Sequence, residues 1–337
     1  MKRLVIVPAL TLALAVPASA EMLLGYDSFD LVAAHRSRPV AASIWYPAMN
    51  PTYLAPVGDG PIFEPTKAHI GPAVESGRHP LVLLSHGSGG NAQTLGWLAS
   101  GLVERNAIVL AVNHPGSTSG DSSPRRSVDL EARAADLSAA LDSILADPAF
   151  SARVDSQEIS VVGFSLGGAT ALGLAGLRFD GEVQDARCED SREAGDCVFF
   201  HKGGVSFADY PAFEADSSDD RIVQSVAIDP GFGAAVTEAS LSDVNSRITL
   251  INLGYENRLE AADVSPKGND LVTRLGVAEY LEIGPANHFT FLGVCKPRAA
   301  ELLAEEGEDP ICTDPDGADR KEIHDRLVAA IADALGL

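Results

Sequence analysis

The chain has 337 residues and carries 47 acidic against 25 basic side chains, which gives a formal net charge of −22 at neutral pH. Such an acidic surface disfavours nucleic acid, other polyanions and anionic membranes as partners. The length and the hydrophobic fraction of 46% suffice for one large core, so we expect a single domain with loop insertions.

Residues 1–20 have the three parts of an export signal. A basic start is followed by an apolar stretch and by an Ala-Ser-Ala cleavage site that ends at Ala20. The apolar stretch is shorter than the roughly 20 residues that span a bilayer. We therefore expect a mature domain of residues 21–337, periplasmic or secreted, without a stable membrane anchor.

Short apolar runs then alternate with stretches of helical periodicity. Residues 47–79 are rich in proline and glycine, so we expect a long irregular connection there. The predicted strands are residues 40–46, 81–84, 107–112, 159–162, 222–228, 248–253 and 277–283. The predicted helices are residues 92–104, 130–145, 166–177 and 318–335. This alternation predicts an α/β fold with a doubly wound, mostly parallel sheet, whose functional groups collect beyond the carboxyl ends of the strands.

The pentapeptide Gly-Phe-Ser-Leu-Gly at residues 163–167 lies between a β-branched strand and a predicted helix. This G-x-S-x-G spacing is typical of a nucleophile elbow, in which a sharp turn lifts a serine hydroxyl off the end of a sheet. A side chain at Gly163 or Gly167 would collide with neighbouring backbone in such a turn. Ser165 is therefore the candidate nucleophile.

A serine nucleophile requires a base that accepts its proton and an acid that orients the base. His288 follows the last predicted strand and is the candidate base. His86 and His114 precede Ser165, whereas the usual chain order with this motif is serine, acid, histidine. The other histidines lie in polar or surface-like segments: His35, His69, His79, His201 and His324.

Two residues are candidates for the acid. Asp229 directly abuts the end of the predicted strand 222–228, and a glycine-containing turn follows it. Glu256 lies just past the next predicted strand, 248–253. Both positions are at the edge of the sheet where a histidine from a later loop would be oriented.

An oxyanion requires two backbone N–H groups that point at one position. One would come from Leu166, the residue after the nucleophile. The other would come from residues 85–90, Ser-His-Gly-Ser-Gly-Gly, whose glycines permit close approach of backbone to substrate. A phosphate-binding loop is the alternative interpretation, but the lysine and the Ser/Thr of a P-loop are missing.

Residues 178–221 form an insertion longer than a crossover needs. The insertion is rich in aromatic residues, among them Phe199, Phe200, Phe207 and Phe213. It predicts either a small satellite core under a long loop or an aromatic lid over the site.

The four cysteines permit three disulfide pairings, and an even number in an exported chain favours disulfides. We expect Cys188–Cys197 and Cys295–Cys312, because each pair brackets a polar loop. The sequence contains no C-x-x-C motif and no neighbouring histidine pair, so we expect no metal site, and the proposed chemistry needs no cofactor.

These residues resemble the α/β-hydrolase superfamily. More narrowly, they resemble platelet-activating-factor acetylhydrolases and the related bacterial proteins described as predicted dienelactone hydrolases. The resemblance extends from residue 40 to His288 and rests on the loop 85–89, the elbow, Ile228-Asp229 and the spacing of His288 to Phe291. It implies that Asp229 is the acid and that the N–H of Ser88 is the second oxyanion donor. True dienelactone hydrolases use a cysteine nucleophile, so Ser165 disfavours lactone activity.

We therefore expect an exported serine hydrolase that cleaves carboxylic esters through an acyl-enzyme intermediate, with Ser165, His288 and Asp229 as its triad. The expected substrate is a small-molecule or lipid-like ester. An amide or peptide hydrolase would use the same three residues. A non-catalytic binding protein of the same fold would be expected to lack one of them.

Overall fold

A ten-stranded sheet forms the centre of the molecule in a computed structural model that describes residues 22–191, 194–256, 258–276 and 278–337. The predicted signal peptide, residues 1–20, lies outside these residues. The strands are β1 (Leu23–Leu31), β2 (Val40–Ala48), β3 (Leu54–Val57), β4 (Thr66–Ile70), β5 (His79–Ser85), β6 (Ile108–Val112), β7 (Ser117–Thr118), β8 (Asp121–Ser122), β9 (Val154–Phe164), β10 (Gln224–Ile228), β11 (Arg247–Leu253) and β12 (Glu279–Ile283).

Helices connect and cover the strands. The α-helices are α1 (Gly96–Val103), α2 (Pro124–Ser127), α3 (Leu130–Ala146), α4 (Leu166–Leu174), α5 (Gly181–Asp190), α6 (Gly195–Lys202), α7 (Pro211–Glu214), α8 (Leu271–Leu275), α9 (Ala299–Glu306) and α10 (Arg320–Leu335). Short 3-10 helices are formed by Gln93–Leu95, Phe207–Asp209, Gly233–Ala235, Glu238–Ser242, Glu260–Ala262 and His288–Phe291.

The sheet has a parallel half and a mixed half. Its strand order is β12-β11-β10-β9-β5-β6-β2-β1-β4-β3, and the strands from β12 to β6 are parallel. All residues of β6 and β10 are buried, as expected of strands covered by helices on both faces. The expected doubly wound, mostly parallel α/β sheet is confirmed.

Two layers of helices bury the faces of this sheet. On one face, α1 and α10 pack through a core that includes Leu102 and Leu327. On the other face, α3 and α4 contribute to cores that include Leu137 and Leu172. Because the six parallel strands point the same way, the residues that follow β5, β9, β10, β11 and β12 meet at one edge.

The mixed half of the sheet corrects the sequence prediction. β1 was not predicted, although it pairs with β2 along its whole length. Residues 47–79 are not an irregular connection throughout, since they contain β3 and β4. β3 is the outermost strand, so one of its edges pairs with no other strand of the sheet. Pro56 is tolerated there because the N–H that proline lacks is not needed for pairing at that edge.

The insertion, residues 178–221, folds into α5, α6, α7 and a 3-10 turn. Phe207 and Phe213 are fully buried there, with ring centroids 5.0 Å apart. Their rings also contact Phe232, which follows β10, and Phe179 lies against Phe213. This part of the insertion is therefore a satellite core.

Two disulfides have the pairings expected from the sequence. Cys188–Cys197 joins α5 to α6, and Cys295–Cys312 closes the segment that contains α9. Among the described residues no helix combines the length and apolar character needed to cross a bilayer. In the same part of the chain, no group of three or more histidine, cysteine, aspartate or glutamate side chains is arranged to hold a metal ion.

Candidate active site

Ser165 lies on a strained turn between β9 and α4. Its φ is +55°, in the region that side chains rarely adopt, and its N–H donates to the carbonyl of Ile228 at 2.9 Å. The glycines beside it have no room for a side chain. A Cβ on Gly163 would lie 1.9 Å from the carbonyl oxygen of Gly167, and one on Gly167 would lie 2.0 Å from that of Ser85. The sequence therefore folds into an elbow because its glycines allow three backbone segments to meet.

The structure brings His288 to Ser165. His288 opens the 3-10 turn after β12, where Asn287 and Thr290 form a reciprocal capping box. Its Nε2 lies 3.1 Å from Ser165 Oγ. The ring packs against Phe164, with centroids 4.6 Å apart, so that both hydrogen bonding and aromatic contact fix its orientation.

Asp229 completes the hydrogen-bonded chain. Its Oδ2 lies 3.0 Å from His288 Nδ1, and the side chain is 2% exposed. Its Oδ1 accepts from Asn252 Nδ2 at 2.9 Å and from the N–H of Leu253 at 2.8 Å. Its φ of +42° lies in the region that side chains rarely adopt, as at Ser165. Glu256 is exposed, and no hydrogen bond joins it to His288 in the part of the chain that the structure describes.

Asn252 was not singled out from the sequence. It lies in the apolar strand β11, is 1% exposed, and donates to both Asp229 and the carbonyl of Ala262. Its Oδ1 accepts from the N–H of Val264 at 3.1 Å. An amide inside a mainly apolar strand is the signal that would have identified it, because a buried polar side chain requires partners.

This geometry fixes the proton on His288. Asp229 is an acceptor, so Nδ1 carries the proton and Nε2 has a lone pair directed at Ser165 Oγ. The hydroxyl of Ser165 can therefore donate to Nε2. That is the arrangement a serine nucleophile needs for general-base activation.

Two backbone N–H groups proposed for an oxyanion belong to residues that line one cavity. Ser88 and Leu166 both line the cavity that contains Ser165. Within the described residues, neither N–H donates to another group of the protein. Unpaired N–H groups at a cavity wall are what an oxyanion site presents before substrate binds.

The cavity over Ser165 and His288 measures about 860 Å³. One wall comes from α6 of the insertion and includes Val198 and Phe199, which are half-buried. Another part of the wall comes from the segment after His288 and includes Phe289 and Ile311. Cys197 and Cys312 are next in sequence to wall residues, so each disulfide fixes one wall. The insertion is thus a core at Phe213 and a cavity wall at Phe199.

Two of the histidines assigned to surface-like segments are buried, and that part of the prediction is wrong. His79 is 2% exposed and contacts Asn106, whereas His324 is 5% exposed and stacks on Trp97 with centroids 3.7 Å apart. Tertiary packing covers these side chains although their sequence neighbours are polar. Neither histidine lines the cavity.

No protein-family model matches the sequence, and no functionally curated protein matches it either. Solved structures do share its fold. A ferulic acid esterase from Streptomyces cinnamoneus is 18% identical, with a TM-score of 0.59 over 95% of this chain and 91% of that one. Esterase Est22 is 11% identical, with a TM-score of 0.50 over 93% of this chain and 81% of the other. At these identities the similarity establishes the α/β-hydrolase fold.

Proposed function

We propose that this protein is a carboxylic ester hydrolase that works through a covalent acyl-enzyme intermediate. The observation that carries the proposal is the continuous hydrogen-bonded chain from Ser165 through His288 to Asp229 at the wall of a large, mainly apolar cavity. Both reported structures that share the fold are named esterases, which supports the same reaction class.

In the first half of the reaction, Ser165 Oγ attacks the acyl carbonyl while His288 Nε2 accepts the hydroxyl proton. The resulting imidazolium lies against the carboxylate of Asp229, which stays ionised and stabilises it. His288 then returns the proton to the leaving alcohol, and the acyl group remains on Ser165. A water molecule then attacks the acyl carbon while His288 Nε2 accepts its proton, and return of that proton to Ser165 Oγ as the acyl bond breaks releases the carboxylic acid.

The developing oxyanion is assigned to the N–H groups of Ser88 and Leu166. Each lies in a segment that the elbow glycines bring close to Ser165, and each lacks another acceptor among the described residues. Hydrogen bonds from such donors become stronger as negative charge grows on the carbonyl oxygen. They therefore lower the activation barrier more than they improve substrate binding.

We further propose that the enzyme is exported after removal of residues 1–20 and functions as one domain, residues 21–337, with the insertion 178–221 as a cavity wall. The two disulfides support an oxidising location, since disulfides persist mainly outside the cytoplasm. Within the superfamily we propose the platelet-activating-factor acetylhydrolase-like group, because Asp229 follows β10, the next strand after the elbow helix. The substrate would be a small-molecule or lipid-like ester whose apolar part contacts Phe199 and Phe289.

The test is hydrolysis of p-nitrophenyl esters of increasing chain length by the mature protein and by S165A. Loss of the nucleophile should lower kcat by about 10⁴-fold or more. A fluorophosphonate probe should label the wild type and leave S165A unlabelled. S138A is the matched control, because Ser138 lies on α3 and donates to Asp219 away from the cavity. Near-normal turnover by S165A would refute the proposal.

A further inference from the structure

Arg133 lies on α3, and its guanidinium is fully buried beneath the loop that carries Ser88. The guanidinium holds three segments together. Its Nη2 donates to the carbonyl of His86 at 2.6 Å and to Ser85 Oγ at 3.2 Å, both at the start of that loop. Its Nε donates to Thr170 Oγ1 at 2.9 Å, on the helix that follows the nucleophile, and its Nη1 donates to Ser117 Oγ.

No carboxylate contacts this cation within the described residues, whose ion pairs do not include Arg133. Its charge is linked to Asp136 indirectly. Ser85 Oγ accepts from Arg133 and lies 3.0 Å from His114 Nε2, while His114 Nδ1 lies 3.0 Å from Asp136 Oδ2. Arg36 closes the chain with two hydrogen bonds of 2.7 Å to Asp136.

The protonation states in this chain follow from its geometry. Since Ser85 Oγ accepts from Arg133, its own proton is free for His114 Nε2, and the proton of His114 must lie on Nδ1 toward Asp136. Burial and the neighbouring Arg133 lower the pKa of His114 to about 3, so the imidazole is neutral. Burial alone would raise the pKa of Asp136, but hydrogen bonds from His114 and Arg36 hold it well below its ordinary value.

A buried guanidinium without a direct counter-ion is expensive, and apolar packing would be more stable at such a position. Burial lowers the pKa of Arg133 to about 9, which leaves it charged at neutral pH. The four donations of Arg133 are all to neutral oxygens of segments that meet behind Ser165. These four hydrogen bonds therefore hold the segments in fixed positions relative to one another.

Hydrogen bonds within the loop 85–90 determine the direction of the Ser88 N–H. The carbonyl of Gly87 accepts from His86 Nδ1 at 2.7 Å and from the N–H of Gly90 at 3.1 Å. In a trans peptide the N–H points opposite to the carbonyl, so fixing this oxygen directs the N–H of Ser88 away from those donors. The ring of His86 is held in turn by the N–H of His114, which donates to Nε2 at 3.1 Å.

We propose that Arg133 is a positioning residue for the oxyanion site: it anchors the His86 carbonyl against the elbow helix so that the N–H of Ser88 faces the carbonyl oxygen of the acyl group that Ser165 attacks. This inference rests on the proposed esterase function. Arg133 contacts no reacting atom and acts through His86 and Thr170.

The test compares the mature wild type with R133M, which keeps much of the side-chain volume and removes all four donations. We expect kcat for a p-nitrophenyl ester to fall by about 10- to 100-fold, less than loss of a whole oxyanion donor, with KM within about threefold. The affinity for phenylboronic acid, which forms a tetrahedral anion on Ser165, should fall by the same factor as kcat/KM. A merely structural role would not move inhibitor affinity in parallel with kcat.

The control is L141A, which removes a buried side chain from the far part of α3 in another core. It should lower the melting temperature and leave kcat and boronate affinity unchanged at temperatures where it is folded. If R133M does not fold, T170V and S117A each remove one acceptor of Arg133 and should give smaller losses in both quantities.

The outcomes separate the two proposals. An inactive wild type that does not bind the boronate refutes the esterase function. An active wild type with folded R133M, or with folded T170V and S117A, at wild-type kcat and boronate affinity overturns the positioning role alone.

Discussion

Replacement of Asp229 by asparagine tests the orientation of His288 with little change in shape. Asparagine tolerates a positive φ better than most residues, so the φ of +42° should persist. The position of the new amide is dictated by the structure. The oxygen that replaces Oδ1 must still accept from Asn252 and Leu253, which places the NH₂ group 3.0 Å from His288 Nδ1.

The alternative rotamer would turn the NH₂ group toward two buried donors and leave them unsatisfied, at about 1–3 kcal/mol each. The favoured rotamer instead presents a donor to His288 Nδ1. The imidazole must then carry its proton on Nε2, where it cannot accept the proton of Ser165. Loss of the productive tautomer and of the carboxylate charge is expected to lower kcat by about 10⁴-fold, or about 5 kcal/mol in the barrier.

The assay is steady-state hydrolysis of p-nitrophenyl butyrate by D229N and E256Q, with circular dichroism and the melting temperature as tests of folding. E256Q should keep kcat within about twofold of wild type, because Glu256 is exposed and donates or accepts nothing at His288 in the described structure. Near-normal turnover by D229N together with loss of activity in E256Q would show that the acid is Glu256.

Two further predictions concern the cavity wall and acid stability. F199A should change the ratio of kcat/KM for short and long acyl esters with little loss of stability. F213A should lower the free energy of unfolding by about 3–5 kcal/mol and leave that ratio unchanged. Equal effects of the two variants would contradict the division of the insertion into a cavity wall and a core. Burial lowers the pKa of His324 to about 4, against an unfolded value of about 6.5, so the neutral ring is favoured in the fold and its stabilisation is lost as the pH falls from 6.5 to 4. Urea unfolding at a series of pH values measures this loss. Between pH 6.5 and 4 the free energy of unfolding of H324Q should fall by up to about 3 kcal/mol less than that of the wild type, and an unchanged pH dependence would refute this assignment.

Most strands of the parallel half of the sheet could be predicted because they contain short continuous apolar runs, as in β5 and β6. Runs such as 107–112 and 222–228 correspond to β6 and β10 within two residues. β1 carries the exposed polar residues Asp27, Ser28 and Asp30, so its pattern contains no continuous apolar run. Local pattern therefore identifies a strand by its run of apolar residues, and it fails for β1, where polar residues interrupt that run.

The site was partly predictable for a related reason. An elbow is a local structure, and its glycines are required by contacts within a few residues of Ser165. The choice between Asp229 and Glu256 depends on which carboxylate reaches His288 Nδ1, and in the structure it is Asp229, although β11 lies between β10 and β12 in the sheet. This contact joins residues 59 positions apart, so residue spacing left both acids open.

Arg133 and Asp136 show most clearly what the sequence pattern could not predict. They lie three residues apart on α3, on a face where helical periodicity places Leu130, Leu137 and Leu141 toward the core. Charged residues at such positions contradict the pattern that predicts the helix, and periodicity alone treats them as interruptions. The structure shows that the burial of Arg133 is matched by hydrogen bonds to the loop before Ser88 and to the elbow helix. The burial of Asp136 is matched by hydrogen bonds with Arg36 and His114. A conflict between local pattern and burial is therefore the place to look for residues that hold a site in position, because stability alone does not explain them.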